Sequence, residues 1–149
     1  MSLPSARQRP LRLGRVLLAA LLLCSCKSDA ERAHQGQVAR LVEHIDRLRR
    51  ADNPQKREPL LALARVPCPD PEACALQDLC LRAYRLHQSS LDTIGELEQH
   101  ADSPAPLPPG VGERVQRAES DLAQAKTLSE QCAETQVRLM RKTLLSSSL

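Results

Sequence analysis

Nine residues, Asp102-Ser103-Pro104-Ala105-Pro106-Leu107-Pro108-Pro109-Gly110, constrain this chain more than any other stretch. Prolines this dense cannot be helix, and the segment is too short for a domain linker. Apolar residues recur at helical spacing on both sides. Before it, Ala73, Leu76, Cys80, Ala83, His87, Ser90, Ile94 and Leu97 alternate by threes and fours, with Leu79, Leu86 and Leu91 widening the stripe. After it, Val115, Ala118, Leu122, Ala125, Leu128, Cys132 and Leu139 do the same. Each pattern specifies a helix roughly 45–50 Å long at 1.5 Å per residue. Two such helices joined by a short stiff loop should fold back as an antiparallel hairpin.

The upstream residues supply what packs on that hairpin. Ser28-Asp29-Ala30-Glu31 reads as a capping box, and Val38, Leu41, Val42, Ile45 and Leu48 follow at helical spacing to about Arg50. Asp52-Asn53-Pro54 ends this helix. Pro59 should open a short apolar helix over 60–66, closed by Pro67. Asp70 is a good N-cap for the first long helix, Pro71 sits where its missing N–H is harmless, and Glu72 complements the dipole. That helix should run to Ala101 and the last from about Glu113 to Leu145, with 146–149 frayed. Gly95 suits a helix interior only where another backbone comes close. The expected fold is therefore all-α: an antiparallel hairpin of two long helices with an N-terminal helix and a short helix packed on it. This makes a three- to four-helix bundle. Phe and Trp are absent and Tyr84 is the only aromatic. A core of Leu, Val, Ile and Ala suits helix-on-helix packing, and the stacking surfaces of sugar, haem or single-strand sites are missing.

The first 26 residues carry an address. Arg7, Arg9, Arg12 and Arg15 precede an apolar run over 16–23, with no acidic residue among them. The run is far shorter than the ~20 residues that cross a bilayer, so it reads as a signal-peptide core. Leu23-Cys24-Ser25-Cys26 then resembles the lipobox of bacterial lipoproteins: an aliphatic residue, a small residue next to the cleavage point, and the cysteine that is acylated. Cys24 fits that role poorly, because the bulky Leu23 would precede it. The resemblance implies a signal peptide over 1–25 and a mature domain over 26–149 anchored through palmitate on Cys26. Its acyl chains exceed the two-signal threshold for stable anchoring. Lys27-Ser28 lacks the aspartate that retains such proteins in the inner membrane, which points to the outer membrane and the periplasm. An ordinary secretory signal cleaved near Ser25, or a short uncleaved anchor, is the alternative.

Cleavage changes the charge balance. Without the four leader arginines, 17 basic residues face 18 acidic ones, so the mature chain is near neutral and has no nucleic-acid footprint. Four cysteines remain besides Cys26: Cys68, Cys74, Cys80 and Cys132, an even number in a disulfide-forming compartment. Counting outward from the proline loop, Cys80 and Cys132 differ by roughly 3 Å of helix rise, whereas Cys74 would miss Cys132 by roughly 12 Å. Cys74 and Cys80 lie on one helix and cannot pair. The favoured set is Cys80–Cys132 with Cys68–Cys74.

Other chemistry is weakly written. No CxxC exists for zinc or thiol exchange, and Cys74 is the only thiol near a helix start. No nucleophile elbow, phosphate loop or placed carboxylate pair occurs, so the reading is non-enzymatic, with no cofactor and no metal. His87 and Ser90 fall on the seam, are expected near 127–130, and should form a polar layer that fixes register. Size, anchor, helices and cystines look like the helical pilotins that escort secretins to the outer membrane, an architectural likeness without a shared motif. The expected function is an adaptor or assembly factor for another envelope protein, with Leu41, Leu61 and, less so, Ile45 as candidate interface residues. Ile45 is the one most expected in the core. The alternative is a periplasmic ligand-binding or inhibitory module.

Overall fold

A computed structural model of the chain describes residues 28–101 and 109–146. By internal contacts the chain divides into Met1–Arg32 and Ala33–Leu149. In the first unit, Ser28 Oγ accepts the Glu31 amide at 3.2 Å, which is the N-cap half of the capping box. Among the described residues all regular structure is helical. The elements are α1 (Asp29–Arg50), a 3-10 turn (Asn53–Gln55), α2 (Arg57–Ala64), α3 (Pro71–Ala101) and α4 (Val111–Leu145).

Each start has a local cause. Asp70 Oδ1 accepts the Ala73 amide at 2.8 Å, satisfying a donor that the first turn of α3 leaves open. α4 begins earlier than its apolar pattern does, because Gly110 adopts a left-handed φ of 76° and its carbonyl accepts the Arg114 amide at 3.1 Å. α2 begins before Pro59 rather than at it. Pro54 directs the chain into the 3-10 turn, and Lys56 follows with Nζ donating to the Ala51 carbonyl at 2.6 Å and to Asn53 Oδ1 at 3.1 Å. This lysine is buried because its ammonium ties the end of α1 to the turn.

The core is aliphatic. Leu41, Ile45, Leu48, Leu63, Leu76, Cys80 and Cys132 are closed to solvent, and Val38, Leu60, Tyr84 and Leu139 join the same cluster. α3 and α4 pack extensively, with Ala73, Ala83, Ala118 and Ala125 buried. Two disulfides staple the domain: Cys68–Cys74 with Cα atoms 5.0 Å apart, and Cys80–Cys132 at 5.2 Å. The first clips the chain before α3 to its first turn, and the second joins the two long helices.

Buried polar groups are matched to particular needs. Gln77 Nε2 donates to the Leu63 and Val66 carbonyls, both at 2.7 Å, adding to the Val66 amide that already reaches the Leu63 carbonyl at 3.1 Å and capping the chain end beyond α2. Gln136 of α4 donates to Asp46 Oδ1 at 2.9 Å and accepts from Arg49 at 2.7 Å, while Arg49 also reaches Asp46 at 3.3 Å. This closed triangle fixes α1 against α4.

Two local expectations fail. Ser90 is buried, but its hydroxyl folds back onto the Leu86 carbonyl at 2.9 Å, and it lines a pocket with Arg114, Arg117, Ala118 and Asp121 of α4. His87 leaves Nδ1 buried without a hydrogen-bond partner, and burial, helped by the Lys56 charge, pushes its pKa below the usual 6.5. The expected polar layer is thus an imidazole whose charged form burial disfavours and a self-satisfied serine. An expected position opposite 127–130 is too far along α4 for Ser90. Gly95 also lacks the close backbone expected of it, since a Cβ there would meet nothing within 4 Å.

Candidate interaction surface

Three candidate interface residues were legible in the sequence, and the fold separates them. Leu41 and Ile45 are both 0% exposed and belong to the chain's own core, which corrects the expectation that Leu41 faces a partner. The stripe on α1 is wide because it closes over α2, α3 and α4 together. Leu61 stands out of α2 at 47% exposure, while Leu60 and Leu63 on the same short helix point inward. Arg57, Glu58 and Arg65, its neighbours at helical spacing, are exposed around it. Cys26, the proposed lipid site, lies outside the described residues, as does most of the proline loop.

A second surface forms where α1, α3 and α4 come together. His34 Nε2 and Asp70 Oδ2 are 2.7 Å apart, bridging α1 to the cap of α3. The Ala73 amide holds the Asp70 carboxyl below the ordinary 3.8, against the opposing effect of burial, and His34 adds to the lowering. Two residues on, Glu72 binds the Lys142 ammonium of α4 and raises its pKa. Nearby, Val38, Ala39 and Val42 of α1 and Met140 and Leu144 of α4 line an open, mostly apolar groove of about 210 Å³.

No protein-family model, no curated protein and no solved structure matches this chain. Its function has to be read from its own side chains. Among the described residues, no three His, Cys, Asp or Glu side chains gather as a metal site, and no helix is long and apolar enough to cross a membrane. All four cysteines of the bundle are in disulfides, which takes Cys74 out of thiol chemistry.

The sequence reading missed the apolar end of α4. Val137, Met140, Leu144 and Leu145 are 48%, 42%, 65% and 70% exposed. The signal was present: apolar residues at 137, 139, 140, 144 and 145 are too many for one helix face, and Leu139 alone goes deep into the core. His34–Asp70 and the Gln136 triangle were also missed, because pairs so far apart in sequence leave no spacing signal.

Proposed function

We propose that the chain is a bacterial envelope lipoprotein, held to the outer membrane by acylated Cys26, whose periplasmic domain is a non-enzymatic adaptor for another envelope protein. Its central element is an antiparallel hairpin of α3 and α4, braced by α1 and α2. The order of the cross-helix pairs supports that hairpin: Glu72 with Lys142, Cys80 with Cys132 and Glu96 with Arg114, so partners on α4 descend as residues on α3 ascend. Two cystines suit an oxidising compartment outside the cytoplasm.

The observation that carries the adaptor reading is Leu61. A leucine left half-exposed on a helix whose other leucines are buried, ringed by Arg57, Glu58 and Arg65, has the form of an apolar anchor within a polar rim. The test is Leu61→Glu in the full chain, followed by affinity purification from detergent-solubilised membranes. Helicity and both cystines should be unchanged, while the partner is lost by on the order of thirtyfold, as for a hot-spot residue. A variant that retains every partner removes the proposed surface, and the ligand-binding or inhibitory reading then takes its place.

A further inference from the structure

The large apolar side chains exposed among the described residues are concentrated. Apart from Leu61, all of them (Val137, Met140, Leu144 and Leu145) lie in the last three turns of α4. At 100° per residue, Val137, Arg138, Arg141, Leu144 and Leu145 share the sector opposite the core-facing Leu139 and Cys132. Charge changes sign at the same place. α4 carries Glu119, Asp121, Glu130 and Glu134 among its earlier turns, but no acidic residue follows Glu134, whereas Arg138, Arg141 and Lys142 do. Among the described residues, Glu72 engages Lys142 and Arg138 donates a local bond to Thr135 at 3.2 Å. The two arginines therefore supply the outward positive charge of this face.

Covalent geometry also limits how far this face can lie from the attachment point of the chain. Lys142 meets Glu72 in the first turn of α3, and the cap of that helix, Asp70, meets His34. Cys26 precedes His34 by eight residues, a length that covalent geometry limits to about 28 Å. The far end of α3 lies a further ~45 Å along its 31 residues. Given the lipid-anchor reading, on which this step rests, the end holding the α4 terminus is the end that a bilayer can reach.

We infer that the last three turns of α4 lie against the lipid headgroups, with Val137, Leu144 and Leu145 entering the interface and Arg138 and Arg141 meeting anionic phosphates. Exposed leucines interleaved with basic residues are the pattern of helices that rest in the plane of a membrane surface. Each arginine near an anionic leaflet strengthens the contact about fivefold. The adaptor surface at Leu61 is separate, on α2, and stays open to a protein partner.

The chain contains no Trp, so Leu145→Trp gives one indole in the full-length acylated protein. It is placed in vesicles of phosphatidylethanolamine and phosphatidylglycerol whose acyl chains are brominated. The expected result is blue-shifted emission quenched by the brominated lipid, with Glu119→Trp unquenched as the control on the same helix. Combining Leu145→Trp with Arg138→Gln and Arg141→Gln should lower the docked-to-undocked ratio on the order of thirtyfold and restore emission from water. If Leu145→Trp emits from water while palmitate on Cys26 holds the protein on the vesicle, the inference is overturned and the anchor stands. Blue-shifted but unquenched emission also overturns it, because protein and not lipid then covers the face. A chain that takes up no palmitate and washes off the vesicles overturns both.

Discussion

Ile45→Glu is expected to unfold the domain. Ile45 is 0% exposed, in a cluster that takes side chains from all four described helices, so a glutamate there would be closed off from water. An ionised carboxylate is not buried in such a place. It enters protonated or forces the helix away, at a cost of more than about 4 kcal/mol. A domain of this size has only about 5–15 kcal/mol to lose. Leu41→Glu should do the same, since Leu41 is equally closed. Circular dichroism and thermal melting of both variants beside Leu61→Glu make the check: the first two lose helicity and protein abundance, and the third keeps both. A folded Leu41→Glu protein with lost partner binding would instead return Leu41 to the interface.

The second large effect concerns the staple between α3 and α4. Cys80 and Cys132 are 52 residues apart in sequence, so their bond removes roughly 4 kcal/mol of unfolded-chain entropy. Cys68–Cys74 closes only six residues and contributes roughly 2 kcal/mol by the same relation. The two also differ in access, because Cys80 and Cys132 are fully buried whereas Cys68 and Cys74 are half-buried. Graded reductant should therefore open Cys68–Cys74 first with a small drop in melting temperature. A larger drop follows when Cys80–Cys132 opens. Cys80→Ala with Cys132→Ala should reproduce the larger drop alone. Equal drops from the two single-bridge deletions would contradict this ordering.

What could be read from sequence was whatever depends on local spacing. The start of α3 at Pro71 and its end at Ala101 follow from an N-cap aspartate, a first-turn proline and an apolar repeat that stops at the proline segment. The cysteine pairs were legible for a similar reason: helix rise is regular, so counting from the loop eliminates most partners. The expected position opposite Ser90 was wrong, because a few residues of register decide which side chain is opposite. Counting also could not tell a stripe that meets one neighbour from one that meets three, which is why Leu41 looked available. Gln77 and Lys56 were invisible because their burial depends on carbonyls at the ends of other elements, a need that appears only once α1, α2 and α3 are in place. Function was the least legible. An anchoring motif is a local string, whereas an interaction surface is what remains after the bundle has closed.

Metabolic labelling with palmitate in a bacterial host tests whether this domain works from a membrane through Cys26. Wild type, Cys24→Ser and Cys26→Ser are compared for incorporated label and for presence in the membrane fraction. Label and membrane association are expected for wild type and Cys24→Ser, with Cys26→Ser unlabelled and either released from the membrane or left with its leader uncleaved. Palmitate incorporated into Cys26→Ser at the wild-type level would contradict that role of Cys26.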